Sequence, residues 1–347
     1  MPTMKAYEVP KPGAPFTRVE RPVPQPGAGQ VRIAVEACGI CHSDAFVKEG
    51  HYPGLSLPRV PGHEVVGTVD AVGERVSAWR PGQRVGVGWH GGHCGVCPPC
   101  RSGDFIECVR GLVCGISYDG GYAEYMVAPQ EALAAVPDGL DPVAAAPLLC
   151  AGVTTFNALR NSGARAGELV AVQGIGGLGH LGIQYARKLG YRTVALSRGA
   201  DKRQLALELG AHDYVDQQAG DAAAALQALG GARAVLATAP NAKLMSKLVD
   251  GLGPSGVLLV VGASPDPIEV SPFQLIGLRR RLQGWPSGTA KDSEETLAFS
   301  ALNGVASRNE VFPLDRCNEA YQRMLGNQAR FRVVLQVRGR TSAPTPA

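Results

Sequence analysis

The sequence predicts an α/β protein of two domains, in which a β-rich domain comes before a doubly wound parallel sheet. The chain has 347 residues, which is long for a single hydrophobic core. Its first 150 residues are dense in Gly and Pro and contain short β-branched runs between turn residues. From Glu168 onward, short apolar strands alternate with stretches of helical periodicity, which is typical of a parallel sheet.

The first domain is placed at residues 1–150. Its predicted strands include Val31–Val35, Val65–Val72 and Arg84–Val87. Short strands of this kind, separated by turns, favour a Greek-key or barrel-like unit whose loops carry the cysteines.

The second domain is placed at residues 151–286 and is predicted to contain six strands. A stripe of Leu178, Leu181, Tyr185 and Leu189 has helical spacing and predicts a helix after the first strand. The predicted strands are Leu169–Gln173, Thr193–Leu196, Asp213–Val215, Ala234–Ala237, Val257–Val261 and Arg281–Trp285.

The pattern loosens after Pro286. Residues 287–340 are expected to return to the first domain and to end in a strand at Phe331–Val337. Thr341–Ala347 is rich in Pro, Ala and Ser and is predicted to be a flexible tail.

Composition narrows the function classes. The net charge of +4 is small and dispersed, which argues against nucleic acid and against an anionic membrane as partners. No apolar run reaches about 18 residues, and Met1–Gly13 has no apolar leader segment. We therefore expect a cytoplasmic protein, in which the nine cysteines are poor candidates for disulfides.

A glycine-rich turn follows the first strand of the second domain. Gly174, Gly176, Gly177 and Gly179, with Leu178 between the last two, lie between a predicted strand and a predicted helix. Glycines in this context give a tight turn, a close backbone approach to a pyrophosphate, and close packing of helix on strand. The sequence therefore predicts dinucleotide binding at this turn, rather than a loop that serves packing alone.

The end of the next strand favours NADP over NAD. NAD-binding domains place an acidic residue there to accept from the ribose 2′-OH. This chain has Ser197 and Arg198 instead, and Lys202 follows. These side chains can donate to a 2′-phosphate, although Arg198 could also be a solvated surface residue.

The sharpest metal motif is Cys94, Cys97 and Cys100 followed by Cys108. Four thiolates on one short loop can form a closed tetrahedral zinc site, which leaves no position for substrate. The sequence thus predicts a structural zinc here.

A second set of candidate ligands is scattered along the chain. Cys41, His63 and Cys150 cannot be joined by spacing alone, and each could be a buried cysteine or a hydrogen-bonded histidine. If they do meet, two thiolates and one imidazole leave zinc an exchangeable fourth position, which is the catalytic arrangement.

The order of these motifs resembles zinc-containing medium-chain alcohol dehydrogenases, most of all the bacterial, yeast and cinnamyl-alcohol branches. Along nearly the whole chain, the resemblance is carried by the motifs around Cys41 and His63, the four-cysteine loop, the stretch from Cys150 to Thr154, and the glycine turn. The resemblance implies a GroES-like catalytic domain, a Rossmann cofactor domain, and hydride transfer between an alcohol or aldehyde and NAD(P).

The resemblance also implies roles for individual residues. Cys41, His63 and Cys150 hold the catalytic zinc, and Glu64 is a neighbouring or transient ligand. Asp44 fixes the tautomer of His63, and Ser43 accepts the substrate proton. Cofactor contacts are expected from His42, Thr154 and Arg332, and the substrate pocket is expected to include Phe46, Tyr52 and Trp89.

One position departs from the family pattern. Phe46 stands where the family commonly has a histidine that passes protons to solvent, so the proton must leave by another route.

Alternatives remain at this stage. A polyol or formaldehyde dehydrogenase of the same superfamily is the nearest one. A non-enzymatic zinc-binding module is disfavoured by the ordered ligand set, and a zinc-free reductase lacks these ligands. The resemblance implies a homo-oligomer, with a tetramer favoured over a dimer, two zinc ions per chain and a small-molecule alcohol or aldehyde as substrate.

Overall fold

The computed structural model describes residues 1–338. Within these residues the chain forms two compact units, one comprising Met1–Cys150 and residues 288–338, the other comprising Ala151–Ser287. The predicted tail at Thr341–Ala347 lies outside the described residues.

The strands are numbered in chain order. They are β1 (Thr3–Glu8), β2 (Thr17–Pro22), β3 (Gln30–Ile40), β4 (Val65–Val72), β5 (Arg84–Val87), β6 (His90–Gly92), β7 (Leu112–Val113), β8 (Tyr125–Pro129), β9 (Leu133–Ala135), β10 (Leu169–Gln173), β11 (Arg192–Ser197), β12 (Asp213–Asp216), β13 (Ala232–Ala237), β14 (Leu252–Val260), β15 (Arg281–Gly284), β16 (Asn309–Pro313) and β17 (Arg332–Gln336).

The helices are numbered in the same way. They are α1 (Asp44–Lys48), α2 (Pro98–Arg101), α3 (Pro142–Ala145), α4 (Ala151–Arg160), α5 (Gly179–Lys188), α6 (Arg203–Glu208), α7 (Ala222–Ala228), α8 (Ala242–Leu248), α9 (Pro272–Ile276), α10 (Ala290–Asn303) and α11 (Cys317–Leu325). Short 3-10 turns lie at Phe105–Glu107, Gln130–Ala132, Ala146–Leu149, Val249–Gly251 and Leu314–Arg316.

The first unit is built around β3. This strand pairs antiparallel with β4, β8 and β17, and the sheet continues from β4 through β5 to β9 and from β17 to β16. Alternate residues of β3, among them Val31, Ile33 and Val35, are fully buried in the core of this unit. The alternation explains why the sequence forms a strand here, because one face of the strand packs on the core.

The second unit contains a six-stranded parallel sheet in the order β12, β11, β10, β13, β14, β15. The strand order reverses between β10 and β13, and such a switch point is where doubly wound sheets bind dinucleotides. The predicted α/β class is confirmed, with a β-rich unit and a doubly wound parallel sheet.

The structure shows a helix that the sequence pattern did not indicate. α10 begins at the capping box of Thr289 and Asp292 and ends at Gly304, whose φ is +67°. Of its four buried residues only Leu297 is apolar, so the helix has no apolar stripe to reveal its period.

Within residues 1–338, no single helix is long and apolar enough to cross a membrane. Pro142–Leu149 and Ala151–Arg160 reach that length and composition only as a broken pair.

Candidate active site

The structure brings the scattered ligand set together in the first unit. Cys41 follows the end of β3, His63 comes two residues before β4, and Cys150 follows the 3-10 turn at Ala146–Leu149. Together with Glu64, their ligand atoms all lie within 4.8 Å of one another. The two sulfurs of Cys41 and Cys150 are 3.8 Å apart.

Small residues on the sheet allow this approach. A Cβ on Gly39 would lie 1.9 Å from Oε2 of Glu64, and the Gly39 N–H donates to the Glu64 carbonyl at 3.0 Å. A Cβ on Gly88 would lie 2.5 Å from the Leu149 carbonyl oxygen. The segment that carries Cys150 can therefore pack this closely on the end of β5 only because residue 88 is a glycine.

Asp44 orients the imidazole of His63. Its side chain is 1% exposed; Oδ2 accepts from the Cys41 N–H at 2.9 Å and from the Tyr122 hydroxyl at 3.0 Å, while Oδ1 lies 3.2 Å from Nδ1 of His63. The other ring nitrogen of His63, Nε2, is buried and has no hydrogen-bond partner within the described part of the chain. A metal ion bound to Nε2 would supply the missing partner, which is the usual arrangement for a histidine whose other ring nitrogen contacts a carboxylate.

The protonation of the cluster also suits a cation. The hydrogen bond from Cys150 lowers the pKa of Cys41 well below its usual value, and the same contact raises the pKa of Cys150. Burial raises the pKa of Glu64 to about 7, although Arg332 opposes this shift. Two sulfurs and one imidazole form a donor set that zinc prefers, with one position left for an exchangeable ligand.

Arg332 has a partner that the sequence did not indicate. Its guanidinium is buried, forms an ion pair with the Glu64 carboxylate, and donates to the Ile40 carbonyl oxygen at 3.2 Å. Glu64 is therefore held by a cation beside the ligand cluster, and the predicted contact of Arg332 with the cofactor stays a prediction.

The four-cysteine loop also closes as a cluster. The sulfurs of Cys94, Cys97, Cys100 and Cys108 lie within 4.8 Å of one another, and those of Cys97 and Cys108 are 3.8 Å apart. Backbone N–H groups of Cys94 and Arg110 donate to the Cys108 sulfur at 3.3 and 3.4 Å. A hydrogen bond from the backbone of Val96 lowers the pKa of Cys94 to about 5, so a thiolate forms readily there. Four sulfurs could fill all four positions of a tetrahedral metal ion.

The glycine turn lies in the second unit, between β10 and α5. Gly174 has a φ of +90°, and a Cβ on Gly179 would lie 1.8 Å from the Gly174 carbonyl oxygen. A Cβ on Gly176 would meet nothing within 4 Å. Gly179 therefore serves the packing of the turn, while Gly176 leaves open space at the N-terminal side of α5.

Substitution of the two glycines separates these tasks. We expect Gly179→Ala to lower the free energy of unfolding by about 1–3 kcal/mol, since its Cβ collides with backbone. Gly176→Ala is the matched control: we expect it to keep the melting temperature and to weaken binding of the dinucleotide predicted here, because its methyl group would extend into the open space beside the turn. Thermal melts and fluorescence titrations with NADPH check this pair; equal melting and equal affinity in both variants would contradict the assignment.

The end of β11 carries the predicted ribose contacts. Ser197 is buried, Arg198 is exposed and Lys202 is half-buried. The nearby carboxylate of Asp216, at the end of β12, accepts from the N–H groups of Gly199 and Gln218 at 2.8 and 2.9 Å. Asp216 was missed by sequence reasoning, because nothing in its spacing shows that it holds this loop.

The other residues predicted to contact cofactor or substrate differ in their exposure and in their contacts. His42 is exposed, Thr154 is buried in α4, and Ser43 precedes α1 without capping it through its hydroxyl. Phe46, Tyr52 and Trp89 form a row of edge-on ring contacts with centroids 6.1 and 6.2 Å apart. Trp89 also meets the ring of His63 at 5.0 Å, so this row reaches the ligand cluster.

Comparison with protein families accounts for both units. Residues 27–138 match the alcohol dehydrogenase GroES-like domain, and residues 177–302 match the zinc-binding dehydrogenase domain. An alcohol dehydrogenase of Penicillium expansum is 47% identical over 323 residues, which cover 93% of this chain and 94% of that protein. The chain belongs to the zinc-dependent alcohol dehydrogenases.

Solved structures agree with this family. A cinnamyl alcohol dehydrogenase of Sorghum bicolor superimposes with a TM-score of 0.87 at 30% identity, covering 96% of this chain and 98% of that chain. The protein named CAD from Helicobacter pylori, solved as a complex with NADP(H), gives a TM-score of 0.85 at 26% identity, covering 96% of this chain and 98% of that chain. The GroES-like and Rossmann domains predicted from the sequence are confirmed.

Proposed function

We propose that this alcohol dehydrogenase interconverts small alcohols and their aldehydes or ketones, with NADP favoured over NAD as the hydride carrier and two zinc ions per chain. The observation that carries this proposal is the buried cluster of Cys41, His63 and Cys150, in which Nε2 of His63 has no hydrogen-bond partner within residues 1–338. The four-cysteine cluster supports the second, structural ion.

The residues of the first unit divide the catalytic work. Cys41, His63 and Cys150 would hold the catalytic zinc, with Glu64 close enough to exchange as a ligand. When bound, zinc supplies the Lewis acidity that lowers the pKa of an alcohol hydroxyl. Asp44 holds the His63 ring in one tautomer through Nδ1.

Ser43 is the proposed proton acceptor. It lies between Cys41 and Asp44 in the chain, and its hydroxyl makes no capping hydrogen bond to α1, so it remains available to substrate. Phe46 is 41% exposed and cannot relay a proton, so we propose that water carries the proton onward.

The aromatic row would form one wall of the substrate pocket. Trp89 packs edge-on against His63, and Tyr52 and Phe46 extend the row to the surface. The rings exclude water from the reacting oxygen and hold the carbon that exchanges hydride.

The second unit would bind the dinucleotide. The glycine turn and the N-terminus of α5 would receive the pyrophosphate, and His42, Thr154 and Arg332 are proposed as further cofactor contacts. Ser197, Arg198 and Lys202 would receive the 2′-phosphate of NADP.

A direct assay tests the proposed function. Purified protein is mixed with NADPH or NADH and a panel of aldehydes, ketones, polyols and formaldehyde, and the absorbance of reduced nicotinamide is followed. We expect turnover of simple aldehydes, which strong chelation abolishes and added zinc restores. Turnover confined to polyols or formaldehyde would favour the alternative dehydrogenase, and no turnover with any metal-loaded sample would contradict the proposal.

Arg198 provides the test of cofactor preference. We expect Arg198→Ala to raise the KM for NADPH by about 10-fold to 100-fold, since charge-assisted hydrogen bonds to the phosphate are lost. The KM for NADH should stay within about two-fold, because NADH has no 2′-phosphate for Arg198 to contact. The matched control is Arg192→Ala, at the opposite end of β11, where the arginine pairs with Asp213 at 3.0 Å. A wild-type enzyme that prefers NADH would contradict the NADP assignment.

We also propose a homo-oligomer in a reducing, cytoplasmic compartment. The edge strand β15 and helix α9 expose Leu282, Phe273 and Ile276, the last two at 88% and 73%, which is consistent with a subunit interface. All nine cysteines are free, and six of them lie in the two metal-type clusters. Light scattering is expected to give a tetramer, with a dimer as the second possibility, and a monomer would contradict the proposal.

A further inference from the structure

The four-cysteine loop is continued by a stack of aromatic rings. Phe105, in the 3-10 turn before Cys108, stacks on His93 with centroids 4.1 Å apart and planes inclined by 22°. His93 directly precedes Cys94, and its ring stacks in turn on His90 at 5.3 Å and 28°. His93, which precedes Cys94, and Phe105, which lies between Cys100 and Cys108, are therefore connected through His90 to β6.

The stack ends beside the ligand cluster of the first unit. His90 is the chain neighbour of Trp89, whose ring meets His63 edge-on at 5.0 Å and an interplanar angle of 89°. The backbone around Trp89 is held by the Cys114 N–H, which donates to the Trp89 carbonyl oxygen at 3.3 Å. A shift of His90 would therefore be passed on to the ring that packs against His63.

His90 depends on this stack for its polar contact. Its side chain is only 6% exposed, and Nε2 lies 3.3 Å from Nδ1 of His93. Its Nδ1 is buried without a hydrogen-bond partner among the described residues. Loss of the His93 contact would take away the partner of Nε2 as well, and an unpaired nitrogen is costly in a buried side chain. The contact to His93 and the stacking on it therefore hold His90 in place.

We infer that the ring stack of Phe105, His93 and His90 positions Trp89, so that the four-cysteine loop sets the substrate-pocket wall next to His63. We assign the three residues as positioning residues that act through Trp89. The inference rests on the proposed function, since the pocket role of Trp89 is assigned there.

The test uses the zinc-loaded enzyme with Trp79→Phe and Trp285→Phe, which leaves Trp89 as the single tryptophan of the three. In this background, Phe105→Leu is expected to keep two zinc ions per chain and to increase acrylamide quenching of Trp89. In the otherwise wild-type enzyme, the same substitution is expected to raise the KM for an aldehyde by about 3-fold to 10-fold with kcat nearly unchanged, the size of one lost aromatic pair.

Two further variants sharpen the result. His93→Phe keeps a ring on Phe105 and is expected to restrain Trp89 better than His93→Leu does. Val109→Ala, an exposed residue of the same loop with no ring in the stack, is the matched control and should leave quenching and KM unchanged. If Phe105→Leu loses zinc, His93→Leu is judged by the same criteria.

Unchanged quenching and unchanged KM in a zinc-retaining Phe105→Leu or His93→Leu variant would overturn the inference. The quenching measurement needs no turnover, so failure of the proposed function is distinguished from failure of this inference.

Discussion

Cys41→Ala is expected to abolish turnover while the protein still folds and keeps one zinc ion per chain. The substitution removes one of the two sulfurs, 3.8 Å apart, that lie beside His63, so the catalytic site loses the charge that binds the cation. Lewis-acid catalysis contributes several kcal/mol, so kcat/KM should fall by at least about 10³-fold. Metal analysis and an aldehyde assay on the same sample check both parts of the prediction.

Cys38→Ala is the matched control for this variant. Cys38 is a fully buried cysteine near the end of β3, three residues before Cys41, and it lies outside both ligand clusters. Its removal should leave the zinc content at two and turnover within a few-fold of wild type. Full activity of Cys41→Ala, or equal losses in the two variants, would refute the assignment of the catalytic ligands.

Cys97→Ser is expected to reduce stability before it changes the chemistry. The four sulfurs form a closed set, and zinc bound by such a set contributes directly to the free energy of folding. We expect loss of one ligand to cost at least about 3 kcal/mol and to lower the melting temperature by about 5–10 °C. A thermal melt with zinc analysis measures both effects.

The neighbouring Val96→Ala variant controls for disturbance of the loop. Val96 is 63% exposed and contributes no ligand atom, so its melting temperature should match that of wild type. Folded Cys97→Ser protein that still binds two zinc ions per chain should show near-normal KM and kcat. An unchanged melting temperature for Cys97→Ser would count against a structural zinc.

Much of the fold was predictable because its elements have regular periods. β10 lies at the residues predicted for it, and the stripe through Leu181 and Tyr185 forms the buried face of α5. α10 was not predictable in this way, since small polar residues such as Ser293 and Ser300 make up most of its buried face. Only its capping box and terminal glycine mark it in the sequence.

The two metal sites also differ in how far the sequence predicts them. The four cysteines of the loop are close in the chain, so their spacing alone predicts a cluster, and the structure brings the sulfurs together. Cys41 and Cys150 are 109 residues apart, and only the resemblance to a family joined them before the fold was known. The ion pair of Glu64 with Arg332 spans 268 residues and had no sequence signature at all.

Anomalous diffraction at the zinc edge tests the central claim most directly, because it locates the ions in crystals of active enzyme without any assumption about ligands. We expect two peaks per chain, one among the four loop sulfurs and one bonded to the sulfurs of Cys41 and Cys150 and to Nε2 of His63. A single peak at the four-cysteine loop, in crystals that still reduce aldehyde with NADPH, would contradict a catalytic zinc at Cys41, His63 and Cys150.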